Sequence, residues 1–193
     1  MNEFSFEDFI IRLDRHETLN KQAVNKHYQK GEYVFAQGRV CKDVFCMRSG
    51  LVKLYYNTLE GKEWIKSFVP DKGIIGSRHA QVLNRPSAFS AQCLEDTEMT
   101  VYPYELFQNV CYEDTALVRM FFDFTQWLGL KKEIREYQLL CLSAEEAYAD
   151  FKRTSPDLVK RLTQIDLARY LGITPIALSR IKKRVEHRTI DLA

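Results

Sequence analysis

Between Thr163 and Arg184 the residue types and their spacing match one chemistry, the recognition of double-stranded DNA. Thr163 is placed to cap a helix, with Asp166 near that helix's positive end. Leu167 and Leu171 lie four apart and face inward, and Ala168 leaves room for a second helix to cross closely. Gly172 follows at the turn, where a positive φ is needed and glycine adopts it cheaply. Ile173 anchors the turn, and Thr174–Pro175 restarts the chain as a cap followed by proline at the first helical position. Leu178 and Ile181 complete the inner face, which leaves Ile176, Ser179, Arg180, Lys182 and Lys183 outward. An arbitrary helical hairpin has no need of all these features at these offsets, and a helix-turn-helix does. The second helix, Thr174 to about Arg184, is then the one that enters the major groove. Arg180 can span O6 and N7 of a guanine, with weaker contacts from Ser179 and from Ile176, the latter to a thymine methyl. Gln164, Thr174, Lys182 and Lys183 are placed for phosphates, which position a protein on the duplex without specifying sequence.

Other chemistries find little support. The five cysteines, Cys41, Cys46, Cys93, Cys111 and Cys141, are scattered and contain no C-x-x-C. No histidine stands near them at zinc-finger spacing, so no metal site is expected and the thiols read as small buried hydrophobes. A metal-dependent enzyme on a β-barrel would need clustered histidine and carboxylate ligands. Here His16, His27, His79 and His187 are isolated, and no nucleophile–base spacing is found, so no catalytic residue is proposed. A competing reading is a sensor module for a small molecule or partner whose DNA binding is incidental. Salt-dependent, sequence-indifferent binding would mark that case.

The charge distribution agrees with a polyanionic partner at the C-terminal end. Residues 151–193 carry ten Lys and Arg against four acids, a surplus of six, while 1–150 is four negative within the overall +2. A basic segment on an acidic body suits a chain that presents one end to nucleic acid. No run of about eighteen apolar residues suggests a membrane span. The opening MNEFSFEDFI lacks a basic stretch before an apolar core, so no signal peptide is expected and a cytoplasmic location follows by default.

The rest of the chain must position the basic end. Phe6, Phe9, Ile10 and Leu13 predict a short amphipathic N-terminal helix. From about 25 to 103, short aromatic and β-branched runs alternate with turn material at Lys30–Gly31, Ser49–Gly50, Glu60–Gly61, Asp71–Lys72–Gly73 and Asn84–Arg85–Pro86. That texture predicts an antiparallel sandwich or barrel. From about 112 to 140 the period becomes helical. Met120, Phe124, Trp127, Ile134, Tyr137 and Cys141 form one stripe, with Leu117, Phe121 and Leu128 beside it. Two adjoining apolar faces on a helix close to thirty residues long predict that one covers the β-domain and the other meets a twin helix. Leu117, Met120, Phe121, Phe124, Trp127 and Leu128 are the predicted dimerisation residues. Ser143-Ala-Glu-Glu146 is a capping box that opens a further helix, which Ser155–Pro156 closes. The predicted class is α+β, with a sensor domain over 1–111, a dimerisation helix over 112–141 and a DNA-binding domain over 142–193.

A β-rich domain, a long helix and a helix-turn-helix in this order resemble the Crp/Fnr family of bacterial transcription regulators. The likeness is most evident in Lys30–Gly38, Met47–Leu54 and Leu162–Ile181. The resemblance implies an N-terminal antiparallel jelly roll of the cyclic-nucleotide-binding type, with Gly31, Gly38 and Gly50 at turns. It also implies a cytoplasmic homodimer, a two-fold-related operator on double-stranded DNA, RNA polymerase as a partner and an effector of unidentified kind. Cyclic-nucleotide binders of this fold carry Gly-Glu at the start of a short helix, then an arginine followed by serine or threonine. Here Gly76 is kept, Ser77 stands where the glutamate would be, and Pro86 displaces Arg85, leaving Ser87 as the best match to the arginine site. Cyclic AMP is therefore not expected to bind, and no cofactor is predicted. Any anionic ligand would meet Gly76, Ser77, Arg78 and Ser87. Iron–sulfur relatives need several N-terminal cysteines, and a haem sensor would have only His79 to offer. Pro175 and Ile176 replace the family's polar base readers, so a distinct operator is expected. The sequence after Arg184 leaves little room for the family's β-hairpin wing.

Overall fold

The computed structural model describes residues 4–190, with side chains to Val185. The chain forms two compact units, one taking in the residues up to Lys62 and Lys66–Leu128, the other Glu63–Ile65 and the residues from Gly129. The division falls inside the long helix, not at 111 or 141.

The first unit opens with α1 (Phe6–Asp14), where the Ser5 hydroxyl accepts a hydrogen bond from the Asp8 amide at 3.2 Å. Its inner face is Phe9, Ile10 and Leu13, the face its spacing predicts. After α2 (Glu17–Asn20), eight strands follow: β1 (Val24–Tyr28), β2 (Tyr33–Phe35), β3 (Asp43–Ser49), β4 (Val52–Asn57), β5 (Glu63–Val69), β6 (Ile74–Ile75), β7 (Ser90–Cys93) and β8 (Thr97–Pro103). A short helix, α3 (Arg78–Leu83), separates β6 from β7. The strands form two four-stranded sheets, in the orders β1-β8-β3-β6 and β2-β7-β4-β5, the jelly-roll arrangement of paired sheets. Gly50 makes the β3–β4 turn at φ 109°, and a Cβ there would collide with Thr97, so the position needs glycine twice over.

The interior of the roll is closed by its own side chains. Phe35, Phe45, Met47, Val52, Leu54, Phe89, Met99 and Val101 form one buried cluster. The Phe35 ring lies 6.0 Å from Phe45 and 5.4 Å from Phe89, the second edge-on. A separate core joins α1 to β8, α4 (Tyr104–Glu113) and the start of α5 (Thr115–Cys141), through Phe9, Leu13, Tyr102, Phe107, Leu117 and Phe124. Arg48 fastens α1 to β3 by a two-pronged bond to Asp14 at 2.6 and 2.7 Å, and the Tyr102 hydroxyl donates to the same carboxylate at 3.0 Å.

Several elements of the first unit lie outside the sequence expectations. β1 pairs with β8 along Val24–Tyr28 although four of its five residues are exposed, so it has no alternating pattern to betray it. β7, Ser-Ala-Gln-Cys, is too small and mixed to read as a strand. Tyr112 and Glu113 finish α4, and Asp114 starts α5 afresh, its carboxylate accepting from the Ala116 and Leu117 amides at 2.8 and 3.1 Å.

The predicted dimerisation residues also pack within their own chain. Leu117 and Phe124 are 0% and 8% exposed within the chain's own core, and Met120, Phe121, Trp127 and Leu128 pack partly buried against it. Aromatic neighbours explain the difference. Phe124 meets Phe9 and Phe4, and Trp127 meets Phe6, so the N-terminal helix region covers the face a twin was expected to cover. The exposed apolar stripe of α5 lies further along, at Leu130, Ile134 and Tyr137, ending at exposed Cys141.

The second unit contains α6 (Ala144–Thr154), α7 (Pro156–Arg161), α8 (Gln164–Leu171) and α9 (Pro175–Ile190) as well as the end of α5. The capping box is formed as predicted: the Glu146 amide donates to the Ser143 hydroxyl, and Glu146 accepts from the Ser143 amide at 2.9 Å. The Ser143 hydroxyl also donates to the Glu146 carboxylate at 2.7 Å, and this bond, with the one from the Ser143 amide, holds that carboxyl below its ordinary range. No helix among the described residues is long and apolar enough to cross a membrane.

Candidate nucleic-acid interface

The helix-turn-helix is built from α8 and α9. Thr163 accepts from the Asp166 amide at 3.1 Å and so starts α8. Leu167, Ala168 and Leu171 are buried, and Gly172 ends the helix in the left-handed region at φ 73°, ψ 24°, its amide returning to the Ala168 carbonyl. Thr174 starts α9, its hydroxyl accepting from the Ala177 amide at 3.2 Å. Leu178 and Ile181 are buried beneath it, at 0% and 5% exposure.

With Leu178 and Ile181 inward, helical geometry turns Ile176, Arg180 and Lys183 to the opposite side as one ridge at positions i, i+4 and i+7. All three are exposed, Ile176 to 69%. Among the described residues neither Arg180 nor Lys183 has a carboxylate partner, so both cations face solvent unneutralised. Ser179 and Lys182 flank the ridge half-buried. The Gln164 side-chain amide donates to the Pro175 carbonyl at 3.0 Å and the Thr174 hydroxyl serves as a cap, so these two side chains hold the junction of the helices. Arg184 pairs with Glu145 of α6 at 2.8 Å, which fixes α9 to the body of the unit. α9 continues to Ile190, through the stretch in which a wing would begin. His187 lies where no side chain is described.

A feature with no linear signal lies at the other end of α8. The Arg135 guanidinium of α5 stacks 3.8 Å from the centroid of the Tyr170 ring, and its Nη2 donates to the Tyr170 carbonyl at 2.5 Å. Tyr170 packs in turn on Phe151, with centroids 5.0 Å apart. Burial lowers the Arg135 pKa from the ordinary guanidinium value, and its Nε has no hydrogen-bond partner. One turn on, the Gln138 amide donates to Asp150 at 2.9 Å.

The expected anion cradle in the roll has a different geometry. α3 has only six residues, and a Cβ on Gly76 would run into the Gln81 side chain, whose amide donates to the Asp43 carbonyl at 2.8 Å. Ser77 is 1% exposed, and its hydroxyl has no partner. Arg78 is turned toward α5, its guanidinium 5.8 Å from the Phe121 ring centroid. Ser87 is 2% exposed and donates to the Phe89 carbonyl at 2.7 Å, while its backbone joins Gly38 and Arg39. Ser77 and Ser87 are thus both buried, and Arg78 is drawn to an aromatic ring. Arg85 and His79 are exposed. The buried thiols of Cys46 and Cys111 are pushed up to about 12, chiefly by desolvation.

Residues 25–114 match the family described as the cyclic nucleotide-binding domain. Transcriptional activator protein Anr of Pseudomonas protegens is 24% identical over 182 residues, covering 86% of this chain and 71% of its own length. The fumarate and nitrate reduction regulatory protein of Yersinia pestis is 27% identical over 176 residues, covering 86% and 70%. Among solved structures, a CooA mutant from Carboxydothermus hydrogenoformans superposes with a TM-score of 0.75 at 19% identity, over 97% of this chain and 87% of that one. That likeness bears on the fold. With the order of roll, long helix and helix-turn-helix, the chain is thus similar to transcription regulators of the Crp/Fnr type.

Proposed function

We propose that this regulator is a cytoplasmic homodimer that binds a two-fold-related DNA site through α9 and acts there on RNA polymerase, with no reaction of its own. The observation that carries the reading is the Ile176–Arg180–Lys183 ridge, exposed and unneutralised on a helix whose other face is fixed by Leu178, Ile181 and the Arg184–Glu145 pair. In the groove, Arg180 reads a guanine edge and Ile176 approaches a thymine methyl, while Lys182 and Lys183 meet phosphates. Gln164 and Thr174 support the ridge and approach the backbone from the helix junction. The exposed stripe Leu130, Ile134, Tyr137 and Cys141 has the alternating four- and three-residue spacing of a helix-pairing seam, which supports self-association through α5.

Control by cyclic AMP is not part of the proposal. The Phe35–Phe45–Phe89 cluster occupies the roll, Ser87 is bonded internally and Arg78 faces Phe121. The same observations weigh against a ligand sensor whose DNA binding is incidental. Selection of bound duplexes from random DNA tests the reading. A shared palindrome with guanine in each half-site is expected, and recovery of unrelated sequences would overturn it.

A further inference from the structure

The carbonyls in the last turn of a helix have no partner within it, and the negative end of its dipole favours a cation there. In α8 the Tyr170 carbonyl is one of these, and Arg135 of α5 satisfies it while its guanidinium plane lies over the Tyr170 ring. The attachment point is two residues before Gly172, the elbow from which α9 departs. Gln138 to Asp150 adds a second tie from the same helix to α6. An orientation held by a planar, charged, partly desolvated contact is stiffer than one held by apolar packing alone, since a guanidinium must keep both its stacking and its hydrogen-bond direction.

We propose that Arg135 is a positioning residue that sets the spacing between the two half-sites this protein accepts. The inference rests on the proposed reading of a homodimer paired through α5. If α5 is the seam, the distance and angle between two reading helices follow from how each α8–α9 unit is held on its own α5. Each base pair added between half-sites moves one of them by about 3.4 Å along the duplex and rotates it around the axis. A stiff clamp cannot follow that displacement, and a loosened one can.

The test uses the full chain and the selected palindrome, with duplexes in which the half-sites are one base pair closer, native or one base pair further apart. Wild-type protein should lose roughly tenfold or more in affinity at either altered spacing, the loss of about one good base contact. Arg135→Ala should bring the three affinities to within about threefold of one another, a change in preference as well as strength. Arg135→Lys keeps a donor for the Tyr170 carbonyl without the planar stack and should fall between. Tyr170→Leu removes the ring, leaves the backbone carbonyl in place, and should also broaden the spacing preference. Both deletions weakening all three duplexes by one common factor would overturn the inference, as would a wild-type protein indifferent to spacing. Failure of the underlying reading is distinguishable, because the wild type would then select no palindrome or would sediment as a monomer on DNA.

Discussion

Arg180 and Lys183 stand one above the other on the same helix, yet their chemistry differs. A guanidinium presents two parallel donors that fit O6 and N7 of guanine, whereas an ammonium is a point charge suited to phosphate. Arg180→Ala should cost about 1–3 kcal/mol on the selected duplex and little on scrambled DNA. Lys183→Ala should weaken both duplexes alike and reduce the salt dependence by about one ion. Titrations of both variants on both duplexes, at several salt concentrations, check this, and equal losses for Arg180→Ala would make it a phosphate contact. Both side chains are exposed, so neither change endangers the fold. These residues could be picked out in the sequence because their face is defined by near neighbours: once Leu178 and Ile181 are inside, the outward positions follow from helical period alone. Arg135 could not be. Its partner, Tyr170, is thirty-five residues away, and a lone arginine on a helix reads the same whether it is solvated or clamped.

Among the elements, α5 divides its surface between two tasks. Its first half is buried by α1, α4 and the segment containing Phe4 and Phe6, and its second half leaves Leu130, Ile134 and Tyr137 exposed. Ile134→Glu places a carboxylate in the proposed seam, where an unpaired charge costs on the order of 3 kcal/mol. Sedimentation should show dimers of the wild type and monomers of this variant, with the melting temperature of each unit's core little changed. Phe124→Glu, by contrast, should unfold the first unit, because the side chain is 8% exposed among phenylalanines of the same chain. A wild-type monomer at micromolar concentration would end the idea. Periodicity marks α5 as a helix with too much apolar surface, but not which part a terminal segment covers, since that depends on where Phe4 and Phe6 come to rest. Strand β1 escapes notice for the opposite reason: it is held by backbone pairing to β8, and backbone bonds leave no pattern in side-chain types.

For the molecule as a whole, the roll has the architecture of the cyclic nucleotide-binding domain that residues 25–114 match. Ser77 stands for the missing glutamate and Pro86 displaces the arginine, both readable in the sequence. That Gln81 reaches beneath Gly76 and that Arg78 turns to Phe121 emerge only in three dimensions. Calorimetric titration with cyclic AMP should therefore give no heat attributable to a micromolar site, and a clear isotherm would show that the aromatic cluster opens. The closed roll has a further consequence for how such a protein would be switched. If cyclic AMP does not tip the balance and no other effector takes its place, occupancy of a promoter is governed by how much of the chain a cell makes and how fast it is degraded. Pairing through the proposed α5 seam would make that dependence steep: while monomer predominates, doubling its concentration raises the paired form about fourfold. On this view synthesis and proteolysis carry the signal, and the regulator behaves as a gauge of its own abundance.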